Sequence, residues 1–126
     1  MPDSSQYPEG WVRAVEDIRE HHRNRGNLYW EMLRIPPMSV GFYALARRGL
    51  DPQSPHQQDE IYVVLRGRAQ ITIAGHSHAV APGTVAFVPA RVEHRFHSIE
   101  EPLELLVVFA PAESDQTEGP GSPEPR

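Results

Sequence analysis

The sequence predicts an all-β sandwich or barrel with one short helix ahead of it. From residue 27 onward apolar and polar residues alternate with a period of two, the pattern of half-buried strands. The alternating runs are short and are separated by Gly-, Pro- and Asp-containing stretches typical of turns. No helical periodicity intervenes between them, so strands must pack on strands.

In chain order, residues 1–10 (MPDSSQYPEG) are polar with two prolines and are expected to be disordered. They have neither the basic start nor the apolar stretch of a secretory signal. A helix is expected over residues 11–26. Within WVRAVEDIREHHRNRG, Trp11, Val12, Val15 and Ile18 form one apolar stripe, and Asn24 and Gly26 supply stop signals. His21 and His22, beside Arg23 and Arg25, read as solvated cations at the helix C-terminus. Consecutive helical residues diverge by about 100°, so this pair is a poor metal site.

Residues 27–111 form the predicted β-domain. Its runs are NLYWEMLRI (27–35), MSVGFYALA (38–46), EIYVVLRG (60–67), AQITIAG (69–75), TVAFVPA (84–90), HRFHSI (94–99) and LELLVVFAP (103–111). The intervening IPP, RRGLDPQSP, AGHSH, APG and EEP are expected turns, which places His76 and His78 at an exposed hairpin tip. Residues 112–126, rich in Pro, Gly and acids, are expected to be a disordered tail.

Composition narrows the function classes. A chain of 126 residues suits one domain, and 39% hydrophobic residues suffice for its core. No apolar run approaches the roughly 18 residues of a membrane span. Cysteine and lysine are both absent, which excludes disulfides, thiolate ligands and Schiff-base chemistry on a lysine; a cytoplasmic location is the default expectation. The net charge of -5 resides at the ends: residues 11–110 hold eleven acids and eleven arginines. A neutral body offers no electrostatic footprint for nucleic acid.

The chemistry begins in SPHQQDEIYVVLRG, residues 54–67. Glu is depleted in strands, yet Glu60 opens one, four residues after His56. Alternation places Glu60, Tyr62 and Val64 on one face, with His56, Gln58 and Ser54 sharing their parity. A buried carboxylate needs a cation or a proton. A second strand opens with His94, which shares its face with Phe96 and Ser98, while Arg95 and His97 take the other. Two imidazoles and a carboxylate suit a divalent metal, and can form a facial triad with positions left open for water or substrate. Alternatively, Glu60 and His94 form a buried hydrogen-bonded pair that holds no metal.

These residues resemble the two motifs of the cupin superfamily. The first, a glycine, a His-x-His, a glutamate and a second glycine, is matched by Gly49, His56, Glu60 and Gly67. The second, Gly, Pro-x-Gly, His and Asn, is matched by Gly83, Pro89, His94 and, in the Asn position, Ser98. The resemblance spans about residues 38–110 and departs in three places. Ser54 stands where the family has its first histidine, Arg91 replaces the glycine after Pro89, and Gly49 is displaced by one residue.

The resemblance implies a small double-stranded β-helix, or jelly-roll, barrel. It implies one divalent ion held by His56, Glu60 and His94, with Gln58 or Ser54 as candidate fourth ligand. Fe suits this donor set best, with Mn, Ni and Zn as alternatives. Tyr62, Phe96 and Ser98 are candidate substrate-pocket residues; no separate catalytic residue is evident. Two function classes follow: a metal-dependent dioxygenase, isomerase or lyase acting on a small oxygenated molecule, or a non-catalytic cupin holding a sugar-like ligand. By analogy a homodimer is expected, with Ile61, Val63 and Leu65 on the outward face.

Overall fold

The computed structural model describes residues 8–24, 28–52 and 55–113. They form one helix, α1 (Val15–Arg23), and six strands: β1 (Tyr29–Ile35), β2 (Met38–Leu45), β3 (Asp59–Ile73), β4 (His76–Val80), β5 (Val85–Val88) and β6 (His94–Ala110). All pairings are antiparallel, in the order β1-β2-β6-β3-β4, with β5 on β3.

β3 and β6 organise the fold. They pair from Asp59↔Ala110 to Ile73↔His94, with register shifts between Val64 and Gln70. Those shifts mark a bend that divides the ladder in two. On one side the sheet reads β1-β2-β6-β3-β5; on the other, β4-β3-β6. The two halves fold over each other, because the inward residues of both belong to one core. Tyr62, Val64, Leu105 and Val107 come from the first half, and Ile71, Val80, Phe96 and Ile99 from the second. Tyr62 and Phe96 meet edge to face across it, centroids 4.9 Å apart. This is the expected all-β jelly-roll.

The bend corrects one predicted turn and joins runs that were expected to be separate. Gly67, at the end of one predicted run, and the EEP stretch, an expected turn, both lie inside continuous strands. Gly67 has φ +99°, and a Cβ there would meet the Pro102 carbonyl and lie 2.7 Å from Leu103 Cα. Glycine thus permits close crossing of the two strands, not chain reversal. The bend also switches parity: the buried residues of β3 are Glu60, Tyr62 and Val64 before it, then Gly67, Ala69 and Ile71. β6 switches likewise at Ser98, where φ is +52°. The chain reversal after β3 falls at Ala74–Gly75, so His76 and His78 lie in β4, not at a hairpin tip, and are exposed there.

The helix is shorter than expected. It starts at Val15, where Glu16 and Asp17 fill the first turn and complement the dipole. Trp11 lies ahead of it, under the Arg13 guanidinium at 4.5 Å, and Val12 is fully exposed. Only Ile18 and Arg19 are buried, and Arg19 ties the helix to the sheet through Glu104, at 2.7 Å. His21 and His22 are not simply solvated. His21 stacks on Trp30, centroids 4.0 Å apart, and His22 meets Phe42 edge-on at 4.9 Å.

The loop after β2 crosses the free edge of β6. Arg48 N donates to Ile99 O at 2.9 Å, and the buried Asp51 accepts from Phe96 N at 2.9 Å and Tyr43 Oη at 2.6 Å. One carboxylate therefore does the work of an adjacent strand. Asp51→Ala is expected to lose about 3 kcal/mol, since hydrogen bonds to a charged group contribute about 1.5–3 kcal/mol each; a urea midpoint equal to wild type would contradict this.

Candidate metal centre

Glu60 and His94 are far apart on the ladder. Glu60 pairs with Phe109 and His94 with Ile73. Folding at the bend brings them together: His94 Nε2 lies 3.1 Å from Glu60 Oε1, and both side chains are 1% exposed. His56 approaches from the loop before β3, its ring 6.0 Å from that of His94 and packed edge-on against Phe109 at 5.0 Å. One ligand atom from each of His56, Glu60 and His94 lies within 4.8 Å of the others. The three sequence-predicted ligands therefore converge.

The ring orientation of His94 is fixed. Its Nδ1 lies 2.9 Å from Val92 O, and a carbonyl can only accept, so Nδ1 carries the proton. Nε2 is left for the cluster, where Tyr62 Oη also reaches it at 3.1 Å. A carbonyl holding the non-ligating nitrogen is the usual support for a metal-binding imidazole.

Burial, the largest single influence, opposes the charge on both Glu60 and His94. It is outweighed. The hydrogen bond and charge of His94, the charge of His56 and a hydrogen bond with Tyr62 hold the Glu60 carboxyl below its ordinary value. Glu60, the Val92 carbonyl and the Asp51 charge raise His94 above its own. Between the lowered value of Glu60 and the raised value of His94, the metal-free pair is imidazolium and carboxylate. Its dependence on pH has a definite sign. The raised His94 contributes stability below its ordinary value of 6.5 and loses it as pH rises through the raised one. The lowered Glu60 contributes above its ordinary 4.5 and loses it as pH falls through the lowered one. The melting temperature of the metal-free protein, less that of Glu60→Gln, should therefore fall off on both sides of a mildly acidic plateau. A difference that persists undiminished into alkaline pH would refute the charged pair.

The other predicted site residues divide. Gln58 is buried, with the inward parity expected of it, whereas Ser54 lies outside the described residues. Tyr62 and Phe96 are buried at 0% and 1% exposure. Ser98 is a correction. The switch of parity at its positive φ turns it outward, where it is exposed and bonds His97 Nδ1 at 3.0 Å. A cavity of about 790 Å³ is lined by Phe96 and Ser98 together with Arg47, Asp51 and Arg95, but by neither Tyr62 nor the three candidate ligands. Of the remaining phenylalanines near the sheet faces, Phe42 is buried beneath His22, and Phe87 is 56% exposed.

One residue escaped the sequence reading. Glu113, assigned to the disordered tail, is 5% exposed, and its Oε2 lies 3.7 Å from His56 Nδ1. A signal for it existed: it continues the odd-numbered inward parity of Leu105, Val107 and Phe109, although Pro111 interrupts the strand.

A family model for the cupin domain matches residues 41–109, over half of the chain. The chain belongs to the cupin family. The uncharacterized protein SCO3923 of Streptomyces coelicolor is 45% identical to this cupin over 100 residues, which cover 79% of this chain and 95% of that one. Among solved structures, BH2720 of Bacillus halodurans has a TM-score of 0.72 at 19% identity and covers 86% of both chains. The DMSP lyase DddQ of Ruegeria pomeroyi DSS-3 has a TM-score of 0.57 at 23% identity, covering 60% of this cupin but only 39% of the lyase. At these identities the structural likeness establishes the fold. Among the described residues no helix is long and apolar enough to cross a membrane.

Proposed function

We propose that this cupin is a divalent-metal protein and that the metal serves catalysis on a small oxygenated molecule. The observation that carries the reading is the convergence of His56, Glu60 and His94 within 4.8 Å, from a loop and two strand ends, with Glu60 and His94 buried. Two neutral imidazoles and one carboxylate fit Fe(II) best, with Mn, Ni and Zn as alternatives. When bound, the ion supplies Lewis-acid or redox chemistry. The chain's own part is to hold His94 by the Val92 carbonyl, to place the Tyr62 hydroxyl beside His94 and Glu60, and to exclude water with Phe96 and Phe109. Among the reaction types compatible with such a centre, a lyase step has a fold-level precedent in DddQ.

A second reading draws support from the 3.1 Å Glu60–His94 contact. Those two residues already neutralise each other without an ion, as a metal-free ligand-binding cupin requires. Elemental analysis of the purified protein, before and after anaerobic reconstitution with Fe(II), Mn(II), Ni(II) and Zn(II), separates the two. About one equivalent of a single metal supports the metal centre; none after reconstitution rejects it in favour of an organic-ligand pocket.

The homodimer belongs to the same proposal. Ile61 and Val63 are half-buried on the outward face, and their β5 partners Phe87 and Val85 are 56% and 63% exposed. These adjacent apolar side chains would be covered by a second copy, which light scattering after size exclusion measures directly.

A further inference from the structure

We propose a second binding site in this cupin, for an organic anion: a carboxylate or phosphate ester on an apolar body, held in the cavity between the loop after β2 and the Arg95–Glu100 stretch of β6. The proposal is independent of the metal reading, because none of His56, Glu60 and His94 lines that cavity.

Unpaired positive charge is concentrated there. Arg19, Arg23, Arg34, Arg66 and Arg68 each pair with a carboxylate. Arg47, Arg48 and Arg95 line the cavity and are exposed, and among the described residues none of the three forms an ion pair. Arg47 spends one of its five N–H groups on Glu100 O, at 3.1 Å. Two acids share the cavity, Asp51 and Glu100. Asp51 is buried and already accepts from Phe96 N and Tyr43 Oη. Three guanidiniums against two carboxylates leave a net positive charge, which an entering anion offsets. The planar fork of a guanidinium matches the paired oxygens of a carboxylate or phosphate.

The rest of the lining calls for an apolar body. Phe96 and Ile99 belong to it, and Leu50 stands on the same loop as Arg47 and Arg48 with 87% of its surface exposed. A few convergent polar groups set in apolar surface are the usual make-up of a small-molecule site, and a volume of about 790 Å³ suits one.

The walls are fixed before anything binds. On the loop side, Arg48 N donates to Ile99 O at 2.9 Å, and the Asp51 carboxylate ties the loop to β6. On the strand side, the His97 ring is held at both nitrogens, by Thr72 Oγ1 at 2.7 Å and Ser98 Oγ at 3.0 Å. Two lining residues, Arg48 at φ +62° and Ser98 at φ +52°, take the left-handed conformation without being glycine. Such positions carry a conformational cost that the surrounding structure must meet, and they gather at binding sites.

The test is a titration of the nitrogen-15-labelled, metal-free full chain with phenyl phosphate, with benzoate and, as a neutral control, with benzyl alcohol, at constant ionic strength. Saturable amide shifts centred on residues 47–51 and 95–100 are expected with at least one of the two anions and not with the alcohol. Tighter phenyl phosphate assigns the site to phosphate esters, and tighter benzoate to carboxylates. Arg48→Gln and Arg95→Gln should each weaken the better anion by about tenfold or more, the loss expected for a hydrogen bond between charged groups, with the melting temperature unchanged. Arg23→Gln, on α1, should leave the affinity as in wild type. Leu50→Ser should weaken both aromatic anions severalfold through the lost apolar contact.

No shift at these residues with either anion would overturn the proposal, as would shifts that grow without saturating. Equal binding of benzyl alcohol would reduce the cavity to an apolar groove. Affinity that survives both arginine substitutions, or shifts that centre on Glu60, Tyr62 and His94 instead, would place the anion elsewhere and reject this site.

Discussion

Glu60→Gln is expected to weaken metal binding by at least about 100-fold, beyond the 10–100-fold typical of an outer-sphere partner, without unfolding the protein. Gln has nearly the shape of Glu, and its amide can donate to His94 Nε2, which then becomes neutral. The substitution thus removes the anionic ligand while retaining a hydrogen bond in its place. Glu60→Ala is a harsher change, because it leaves His94, 1% exposed at its side chain, without the carboxylate; breaking a buried pair in this way costs about 3–5 kcal/mol. Metal content and thermal melting separate the two effects. A Glu60→Gln protein that retains a full equivalent of metal would remove Glu60 from the ligand set. One that melts far below wild type in the metal-free state would show that its charge serves the fold rather than the ion.

The second large effect concerns Gly67. Gly67→Ala should destabilise the protein by about 4 kcal/mol, combining the cost of holding alanine at φ +99° with the collision against the Pro102 backbone. Gly75 provides the internal comparison. It has φ +86° and nothing within 4 Å of the added Cβ, so Gly75→Ala should carry only the conformational cost, about 1 kcal/mol. Urea unfolding of the two variants would measure the difference. Equal losses would mean that the strand crossing is not tight at Gly67.

The candidate ligands were legible because strand alternation is a strong constraint: once Glu60 faces inward, so do Tyr62 and Val64. The spacing of the two cupin motifs then supplied His94 as its partner. Misreadings occurred where one residue type has two structural meanings. Proline at 102 reads as a turn residue by composition and glycine at 67 as the end of a run, yet here they allow two long strands to bend past one another. Ser98 lost its expected inward place because a single positive φ reverses parity, and nothing in HRFHSI announces that. Glu113 was hidden by its setting among Pro, Gly and acids, a composition that describes the segment's average and not the one residue whose backbone N–H reaches Ser39 and whose carboxylate approaches His56. Likewise Asp51, in a stretch read only as a turn, proved to be an anchor for the β6 edge.

The continuity of β3 and β6 through the bend has a consequence for how the molecule opens. The same two chains that form the walls at the Glu60 end also form those at the Ile71 end, so neither half has a hydrogen-bond ladder that can detach alone. Amide protons at Tyr62 and Val107 should therefore exchange with deuterium at the same slow limit as those at Ile71 and Phe96, all governed by whole-domain unfolding. α1, joined to the sheet mainly by Ile18 and Arg19, should exchange far sooner. Glu60 and His94 are thus built into the last part of the protein to open, and keep their spacing for as long as the domain is folded.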